Sequence, residues 1–101
     1  MNKVFLYDNK LDLGIGNFAS VVGYECMSFK DRDGVEAVPA TGQYERIYGY
    51  VYDVDDDVLD MLDVYYGVGI GMHRQVNVLA TLEGGASINA IMYEFQYAEI
   101  I

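Results

Sequence analysis

The 101-residue sequence contains no tryptophan, one proline and one cysteine. A single cysteine cannot form a disulfide within the chain, so a disulfide-stapled scaffold is excluded and a reducing, cytoplasmic location is expected. Cys26 is predicted to be a small buried core residue, because no feature of the sequence marks it as activated. His73 is the single histidine. Without clustered histidines and cysteines, neither a metal site nor a cofactor is expected.

Positive charge is also scarce. Six Lys and Arg face sixteen Asp and Glu, which gives a formal net charge of −10. Nucleic acids and anionic membranes are both bound by Lys and Arg against phosphate, so neither direct nucleic-acid binding nor membrane binding is expected. No apolar stretch approaches the roughly 20 residues that span a bilayer, and the N-terminus does not read as a signal peptide. We expect one folded domain over residues 1–101 whose partner is a small molecule or a protein, in an oligomeric state that the sequence leaves open.

Apolar and aromatic runs predict a chain that is mostly β. Within the clearest run, at residues 46–54, Gly49 indicates a bulge or a close approach of another backbone. Residues 19–29 are long enough for one or two strands. Strands are expected at residues 4–7, 19–29, 35–39, 46–54, 75–82 and 87–97.

A run of aspartates precedes the one clear helix. Asp55 is the candidate N-cap, since carboxylates in the first turn favour the positive end of the helix dipole. Gly67 and Gly69 are expected to end the helix. The spacing i, i+3, i+4, i+7 predicts one apolar face formed by Val58, Met61, Leu62 and Tyr65.

The segment YERIYGYVYDVDDDVLDMLDVYYG resembles the gamma-glutamylcyclotransferase-like superfamily, in which a strand Val-x-Gly-x-Val-Tyr-x-Val and an acidic turn precede Leu-Asp-x-x-Glu-Gly. Two end segments match more weakly: VFLYDNKLDLGIGN, with Tyr7 in the place of the tyrosine of Tyr-Gly-(Ser/Thr)-Leu, and AIMY, which ends at Tyr93. The resemblance implies an α+β fold with a small mixed barrel-like sheet and one or two short helices. The positions in register are Gly49, Val51, Tyr52, Val54, Leu59, Leu62, Asp63 and Gly67.

The resemblance also implies a reaction. In the family, the glutamate of Leu-Asp-x-x-Glu-Gly moves a proton while the substrate's α-amino group attacks its own γ-amide carbonyl and forms 5-oxoproline. Backbone amides of the opening loop hold the substrate carboxylate. Here Tyr66 stands at the glutamate position, and a phenol with a reference pKa of about 10 is a poor proton acceptor at neutral pH. Asp8 replaces the loop glycine, where it would repel a carboxylate and strain a left-handed backbone.

These departures favour a pseudoenzyme, a protein with no confident catalytic residue that uses the retained fold to bind a small ligand or a protein partner. A second hypothesis is an acidic interaction or inhibitor protein that imitates nucleic acid through the aspartates of residues 53–63, although an ordinary solvated acidic face explains them more simply. The expected substrate-binding residues of the pseudoenzyme are Tyr7, Asp8, Asn9, Lys10, Tyr65, Tyr66 and Tyr93.

A third hypothesis is an active gamma-glutamyl(amine) cyclotransferase with a relocated acid/base, for which Glu45, Glu94 and Asp63 are the candidates. Glu45 and Glu94 are each expected to be solvated strand carboxylates. His73, which replaces a family tyrosine, is expected to be a surface group or a hydrogen-bonded buried one rather than a catalyst.

Overall fold

Five strands close on themselves to form a small barrel. The computed structural model describes residues 1–8, 11–29, 34–42 and 44–96. In this part of the chain, helix α1 (Asp56–Tyr65) and a short 3-10 helix (Val68–Ile70) lie between the fifth and sixth strands. The strands are β1 (Asn2–Leu6), β2 (Asn17–Val22), β3 (Tyr24–Ser28), β4 (Val35–Pro39), β5 (Arg46–Val54), β6 (His73–Leu82) and β7 (Ser87–Phe95).

The barrel has the strand order β1-β5-β2-β6-β7. It closes through a parallel pairing of β1 with β7, at Val4 and Ile91, whereas its other neighbouring strands are antiparallel. β3 and β4 form a separate two-stranded antiparallel sheet. The predicted α+β fold with a mixed barrel-like sheet is therefore confirmed.

The strand predictions differ from the structure mainly at their ends. Residues 19–29 contain two strands, β2 and β3, separated at Gly23. The strand predicted at residues 75–82 begins earlier, at His73. The last strand ends at Phe95, and residue 97 of the predicted range lies outside the described residues.

Side chains on the two faces of the strands fill two apolar clusters, because successive residues of a strand point to opposite sides. Inside the barrel, Phe5 and Met92 are fully buried. On the other face of β1, Val4 and Leu6 pack with Leu62 of α1, so the helix covers one side of the barrel. The second cluster consists of Val4, Leu6, Val54, Leu62, Tyr66 and Tyr93.

Helix α1 begins where the sequence predicts, because the carboxylate of Asp55 accepts a hydrogen bond from the Val58 amide at 2.9 Å. The predicted apolar face is wrong in part: Met61 and Tyr65 are 46% and 47% exposed. The buried stripe instead runs along an i, i+4, i+8 row, through Val58, Leu62 and Tyr66. Tyr66 can continue that row because it is the C-cap with a right-handed helical backbone.

The helix ends as predicted at Gly67, whose backbone is left-handed with φ 68° and ψ 40°. Gly69 lies beyond this end, in the 3-10 helix. At ten residues, α1 is far shorter than a membrane span, and no helix in the described part of the chain is long and apolar enough to cross a bilayer.

The prediction of a buried Cys26 is wrong, because its side chain is exposed. β4 buries Ala37 and Val38, whereas the residues of β3 from Cys26 to Ser28 are exposed. Within the part of the chain that the structure describes, β3 pairs with β4 alone. Tyr24 at the start of β3 packs against the barrel core, whereas the strand from Cys26 onward is exposed.

Gly49 marks a close approach of two backbones. A Cβ at this position would collide with the carbonyl oxygen of Leu6 and would lie 2.9 Å from the Tyr7 Cα. We expect Gly49→Ala to lower the free energy of unfolding by about 2–3 kcal/mol, because β1 and β5 would have to separate. The measurement is urea unfolding followed by circular dichroism.

Gly84→Ala is the matched control for Gly49→Ala, because a Cβ at Gly84 meets no atom within 4 Å. This control should change the free energy of unfolding by less than about 0.5 kcal/mol. Equal losses in the two variants would contradict a steric origin at Gly49.

Candidate functional site

The predicted site residues meet where β1 leads into the following loop and α1 ends. Tyr7 and Asp8 directly follow β1, and Tyr66 is the C-cap of α1. The Tyr66 ring stacks on the ring of Tyr93 in β7, with centroids 4.5 Å apart and planes 12° apart. The Tyr66 hydroxyl donates to the Asp8 carboxylate, 3.4 Å from each oxygen. The structure thus brings Asp8, Tyr66 and Tyr93 together.

Tyr7 and Tyr66 are held as neutral phenols. Burial, followed by the Asp8 carboxylate, raises the pKa of Tyr66 far above its usual value. Burial also raises the pKa of Tyr7, against a lowering contribution from a backbone hydrogen bond to Ala37 and with a further raising contribution from Glu36. A protonated phenol donates a hydrogen bond and does not take up a proton at neutral pH. This pair of tyrosines therefore supplies donors to the site, not a base.

The remaining predicted residues lie at the edge of this group. Tyr65 is about half exposed, and its ring meets the Tyr66 ring edge-on at 5.0 Å. Asn9 and Lys10 were also predicted to bind substrate, and they lie outside the described residues. The predicted backbone strain at Asp8 is wrong: among the described residues, no non-glycine residue has a positive φ. Asp8 follows β1 without entering the left-handed region, so a side chain costs nothing there.

Asp8 is the electrostatic centre of the site. Burial is the largest cause of the raised pKa of Tyr66, and the Asp8 carboxylate is the next. Partial desolvation of the surface thiol, followed by the Asp8 carboxylate, raises the pKa of Cys26. The pKa of Tyr52 is raised mainly by burial, and then by Tyr50, Asp12 and Asp8. Groups from β3, from β5 and from the end of α1 therefore all experience the negative charge of Asp8.

A buried carboxylate–imidazole pair lies behind Tyr7. Glu36 of β4 and His73 of β6 are 6% and 3% exposed, and Glu36 Oε1 lies 2.8 Å from His73 Nε2. His73 Nδ1 lies 2.6 Å from the carbonyl oxygen of Tyr66 and must donate, because a carbonyl only accepts. The Tyr7 hydroxyl donates to Glu36 Oε1 at 3.3 Å. We call this group, Tyr7, Glu36, His73 and the Tyr66 carbonyl, the buried relay.

The sequence interpretation missed Glu36. A carboxylate in a short strand is usually solvated, and Glu36 has its partner 37 positions further along the chain. The available signal was its setting in VEAVP, where Ala37 and Val38 belong to a buried run. For His73, the structure agrees with the expectation of a hydrogen-bonded group, because both ring nitrogens have partners.

Of the three candidates for a relocated acid/base, Asp63 and Glu94 are hydrogen-bonded to other side chains and Glu45 is exposed. Asp63 accepts a hydrogen bond from the Tyr93 hydroxyl at 2.7 Å. Glu45 is exposed, as expected. The prediction of a solvated Glu94 is wrong, because Glu94 is 5% exposed and accepts from the Tyr24 hydroxyl at 2.7 Å. Its charge is matched by Arg74, whose Nη2 lies 3.1 Å from Glu94 Oε1, so burial is compensated.

Two other features contribute nothing to this site. The acidic start of α1 is used locally, since Asp55 caps the helix and Asp56 accepts from the Asn2 side chain at 2.9 Å. A shallow depression of about 230 Å³ between β1, β6 and β7 is lined by residues such as Lys3, Asn77 and Asn89, and contains no predicted site residue. Within the described ranges, no group of three or more His, Cys, Asp or Glu could hold a metal ion.

Comparison with known proteins agrees with the architecture. The model of the family described as gamma-glutamyl cyclotransferase, AIG2-like, matches residues 10–100. The solution structure of At5g39720.1 from Arabidopsis thaliana is similar at a TM-score of 0.76 and 21% identity, over 93% of this chain and 68% of that one. The crystal structure of an AIG2-like protein from Mus musculus is similar at a TM-score of 0.73 and 17% identity, over 93% of this chain and 76% of that one.

A structure named gamma-glutamyl cyclotransferase is also similar, with a TM-score of 0.65 and 17% identity, over 93% of this chain and 54% of that one. The chain thus spans between about half and three quarters of the length of these three proteins. No curated protein sequence matches the chain. At such low identities the structural matches establish the shared fold.

The buried relay should be sensitive to loss of its carboxylate. We expect Glu36→Leu to lower the free energy of unfolding by about 3–5 kcal/mol, because His73 and Tyr7 would lose an acceptor inside the protein. Glu36→Gln should cost less, since its side-chain oxygen can occupy the position of Glu36 Oε1 and keep the hydrogen bond from Tyr7. Urea unfolding of the two variants is the measurement, and equal losses would contradict the hydrogen-bonded arrangement.

Stability should fall in alkaline solution. Burial, followed by the hydrogen bond to Glu94, raises the pKa of Tyr24 to about 12. In the unfolded chain a tyrosine ionises near its reference pKa of about 10, so above that pH the unfolded form binds fewer protons than the folded form. The stabilisation is complete below pH 10 or so and is lost as pH rises toward 12.

Urea unfolding at about pH 9 and about pH 11 tests this alkaline loss. The raised pKa values of Tyr7, Tyr66 and Tyr93 act in the same direction as that of Tyr24. Tyr24→Phe should reduce the loss between the two pH values by the share that Tyr24 contributes. An unchanged free energy of unfolding across this range would show that these phenols ionise alike in both states.

Proposed function

The chain belongs to the gamma-glutamyl cyclotransferase, AIG2-like family, and from that premise we propose that it is a ligand-binding member that does not form 5-oxoproline. The observation that carries the proposal is Tyr66. This residue stands at the position of the glutamate in the family pattern, and its hydroxyl is bonded to Asp8. The proposed partner is a small molecule, in a reducing, cytoplasmic setting that suits a chain with one cysteine.

Cyclisation requires a group that can take a proton from the attacking amine within hydrogen-bond distance. Burial and the neighbouring Asp8 carboxylate raise the pKa of Tyr66, so its phenol is protonated throughout the physiological range. The position that supplies a base in the family pattern therefore supplies a hydrogen-bond donor here. Tyr7 cannot replace it, because burial also raises the pKa of that phenol.

The substitution at Asp8 supports binding of a changed ligand. Glycine amides in the family loop face a substrate carboxylate, whereas a carboxylate side chain there repels one. The two substitutions also fit each other, because the hydroxyl of Tyr66 donates to the carboxylate of Asp8. A site that was merely decaying would have no reason to gain a contact between its two altered positions.

A second candidate function is an active enzyme in which a residue other than Tyr66 is the base. It is favoured by the carboxylates of Asp8 and Glu36, which are hydrogen-bonded to Tyr66 and Tyr7. Asp8 is half-buried and lies beside Tyr66, so a ligand could reach it. Glu36 is buried behind Tyr7 and hydrogen-bonded to His73, which makes it a weaker candidate. In this alternative Asp8 takes the role of base.

An assay for 5-oxoproline separates the two functions. The purified protein is incubated with a γ-glutamyl dipeptide and with a γ-glutamylamine, and we expect no release above that of a protein-free control. Asp8→Asn and Glu36→Gln, purified identically, serve as matched variants. Release that Asp8→Asn abolishes would overturn the proposal in favour of the moved base. Release of equal size in all three preparations would also overturn the proposal and place the base at another residue, provided that a mock purification from cells lacking the protein releases none.

A further inference from the structure

We propose that the site around Asp8 and Tyr66 binds a primary ammonium cation that carries no carboxylate nearby. The inference deepens the proposed function, on which it rests, by naming the chemical class of the ligand. Its basis is a half-buried carboxylate that accepts from the Tyr66 hydroxyl, next to an exposed Tyr65 ring, in a position where the family pattern has a glycine.

The Asp8 carboxylate retains capacity to accept hydrogen bonds. An ionised carboxylate has two oxygens with about four lone-pair positions. Among the described residues, the Tyr66 hydroxyl supplies one hydrogen, and it lies equally far, 3.4 Å, from both oxygens. This is a long hydrogen bond for an O–H donor, which the charge-assisted bonds of an ammonium group would surpass. An ammonium group brings three donors, so it can bind Asp8 without displacing Tyr66.

Aromatic rings complete a site suited to a cation. The faces of tyrosine rings carry negative charge density and attract ammonium groups within about 6 Å. Tyr65 is about half exposed at the edge of the site and contacts Tyr66 edge-on, so an incoming ligand meets its ring first. Deeper in, Tyr66 is stacked on Tyr93 and has little freedom to move. The alkyl chain of an amine would pack on the exposed part of the Tyr65 ring, because Tyr66 and Tyr93 are buried behind it.

The charges near the site disfavour an anionic group. Asp12 adds a second carboxylate that, like Asp8, acts on Tyr52. Among the cations in the described ranges, Lys3 pairs with Asp53, Arg74 pairs with Glu94, and Arg46 is exposed at the start of β5. His73 is balanced by Glu36 inside the protein. A ligand carboxylate would therefore meet net negative potential, and a cation would gain from it.

Four probes of similar size test the charge preference: n-pentylamine, 6-aminohexanoate, hexanoate and 1-pentanol. Each is titrated into the 15N-labelled full chain near neutral pH, and amide shifts are followed by NMR. We expect saturable shifts of the Tyr7, Asp8 and Tyr66 amides with n-pentylamine. We expect weaker binding of 6-aminohexanoate and no saturable shift with hexanoate or 1-pentanol. Saturable binding of hexanoate at these amides, or no saturable shift with n-pentylamine, would overturn the proposal.

Variants separate the site from the general attraction of an acidic protein for cations. Asp8→Asn should weaken n-pentylamine binding by roughly tenfold to a hundredfold, the usual range for loss of a hydrogen bond to a charged group. Asp60→Asn makes the same charge change on an exposed helix position and should leave affinity within about twofold. Equal weakening in both variants would overturn the proposal, because the attraction would then be that of the whole surface.

Lys10 follows Asp8 by two positions in the sequence, and Lys10→Met tests its influence. The proposal expects unchanged or tighter binding of n-pentylamine in this variant, and a loss as large as that of Asp8→Asn would contradict it. The 5-oxoproline assay is independent of these titrations. If 5-oxoproline is released and n-pentylamine still binds, the proposed function is wrong and the amine assignment stands. If no 5-oxoproline is released and n-pentylamine does not bind, the amine assignment is wrong and the proposed function stands.

Discussion

The buried relay is the constraint on which the arrangement of the site depends. Glu36 and His73 are both almost fully buried, and each would be costly to bury without the other. Their contact requires the start of β6 to meet β4, and the hydrogen bond from Tyr7 requires the end of β1 to meet the same point. Three segments far apart in sequence are thereby fixed at one end of the barrel.

The buried relay also explains why Tyr66 is buried while the adjacent Tyr65 is about half exposed. His73 donates to the carbonyl of Tyr66, and its ring meets the Tyr66 ring at 5.2 Å in an edge-on arrangement. Together with the stack on Tyr93, these contacts hold Tyr66 in the interior. Tyr65, one position earlier, turns away from this group and is about half exposed. The next residue, Gly67, lets the chain turn immediately after Tyr66 because its backbone is left-handed.

Local features of this fold could be predicted from the sequence, whereas pairings between distant residues could not. The Asp55 cap and the Gly67 helix end depend on neighbouring residues, and both agree with the structure. The close approach of the β1 backbone to Gly49 could be predicted from the sequence, because glycine is otherwise unfavourable within a strand. By contrast, burial of Glu36 depends on His73 of β6, which lies in a different sheet, and burial of Glu94 depends on Arg74, its partner in the register of β6 and β7. The resemblance to a family identified Tyr66 and Asp8 as altered positions, but it did not predict that the two side chains form a hydrogen bond.

The two altered positions of the site are best understood as one exchange of charge. The family pattern has a glutamate at the helix end and a glycine in the opening loop, and this chain has Tyr66 and Asp8. Both arrangements carry one carboxylate, so the exchange moves the negative charge from the helix end to the loop. A ligand held through its carboxylate at the loop then meets repulsion, while an ammonium group meets attraction at the same place. Because the phenol donates to Asp8, the helix end stabilises a carboxylate of the loop in place of carrying one itself. In the proposed function, ligand choice and loss of catalysis are therefore coupled, because the residue at the glutamate position is also the one that donates to the Asp8 carboxylate.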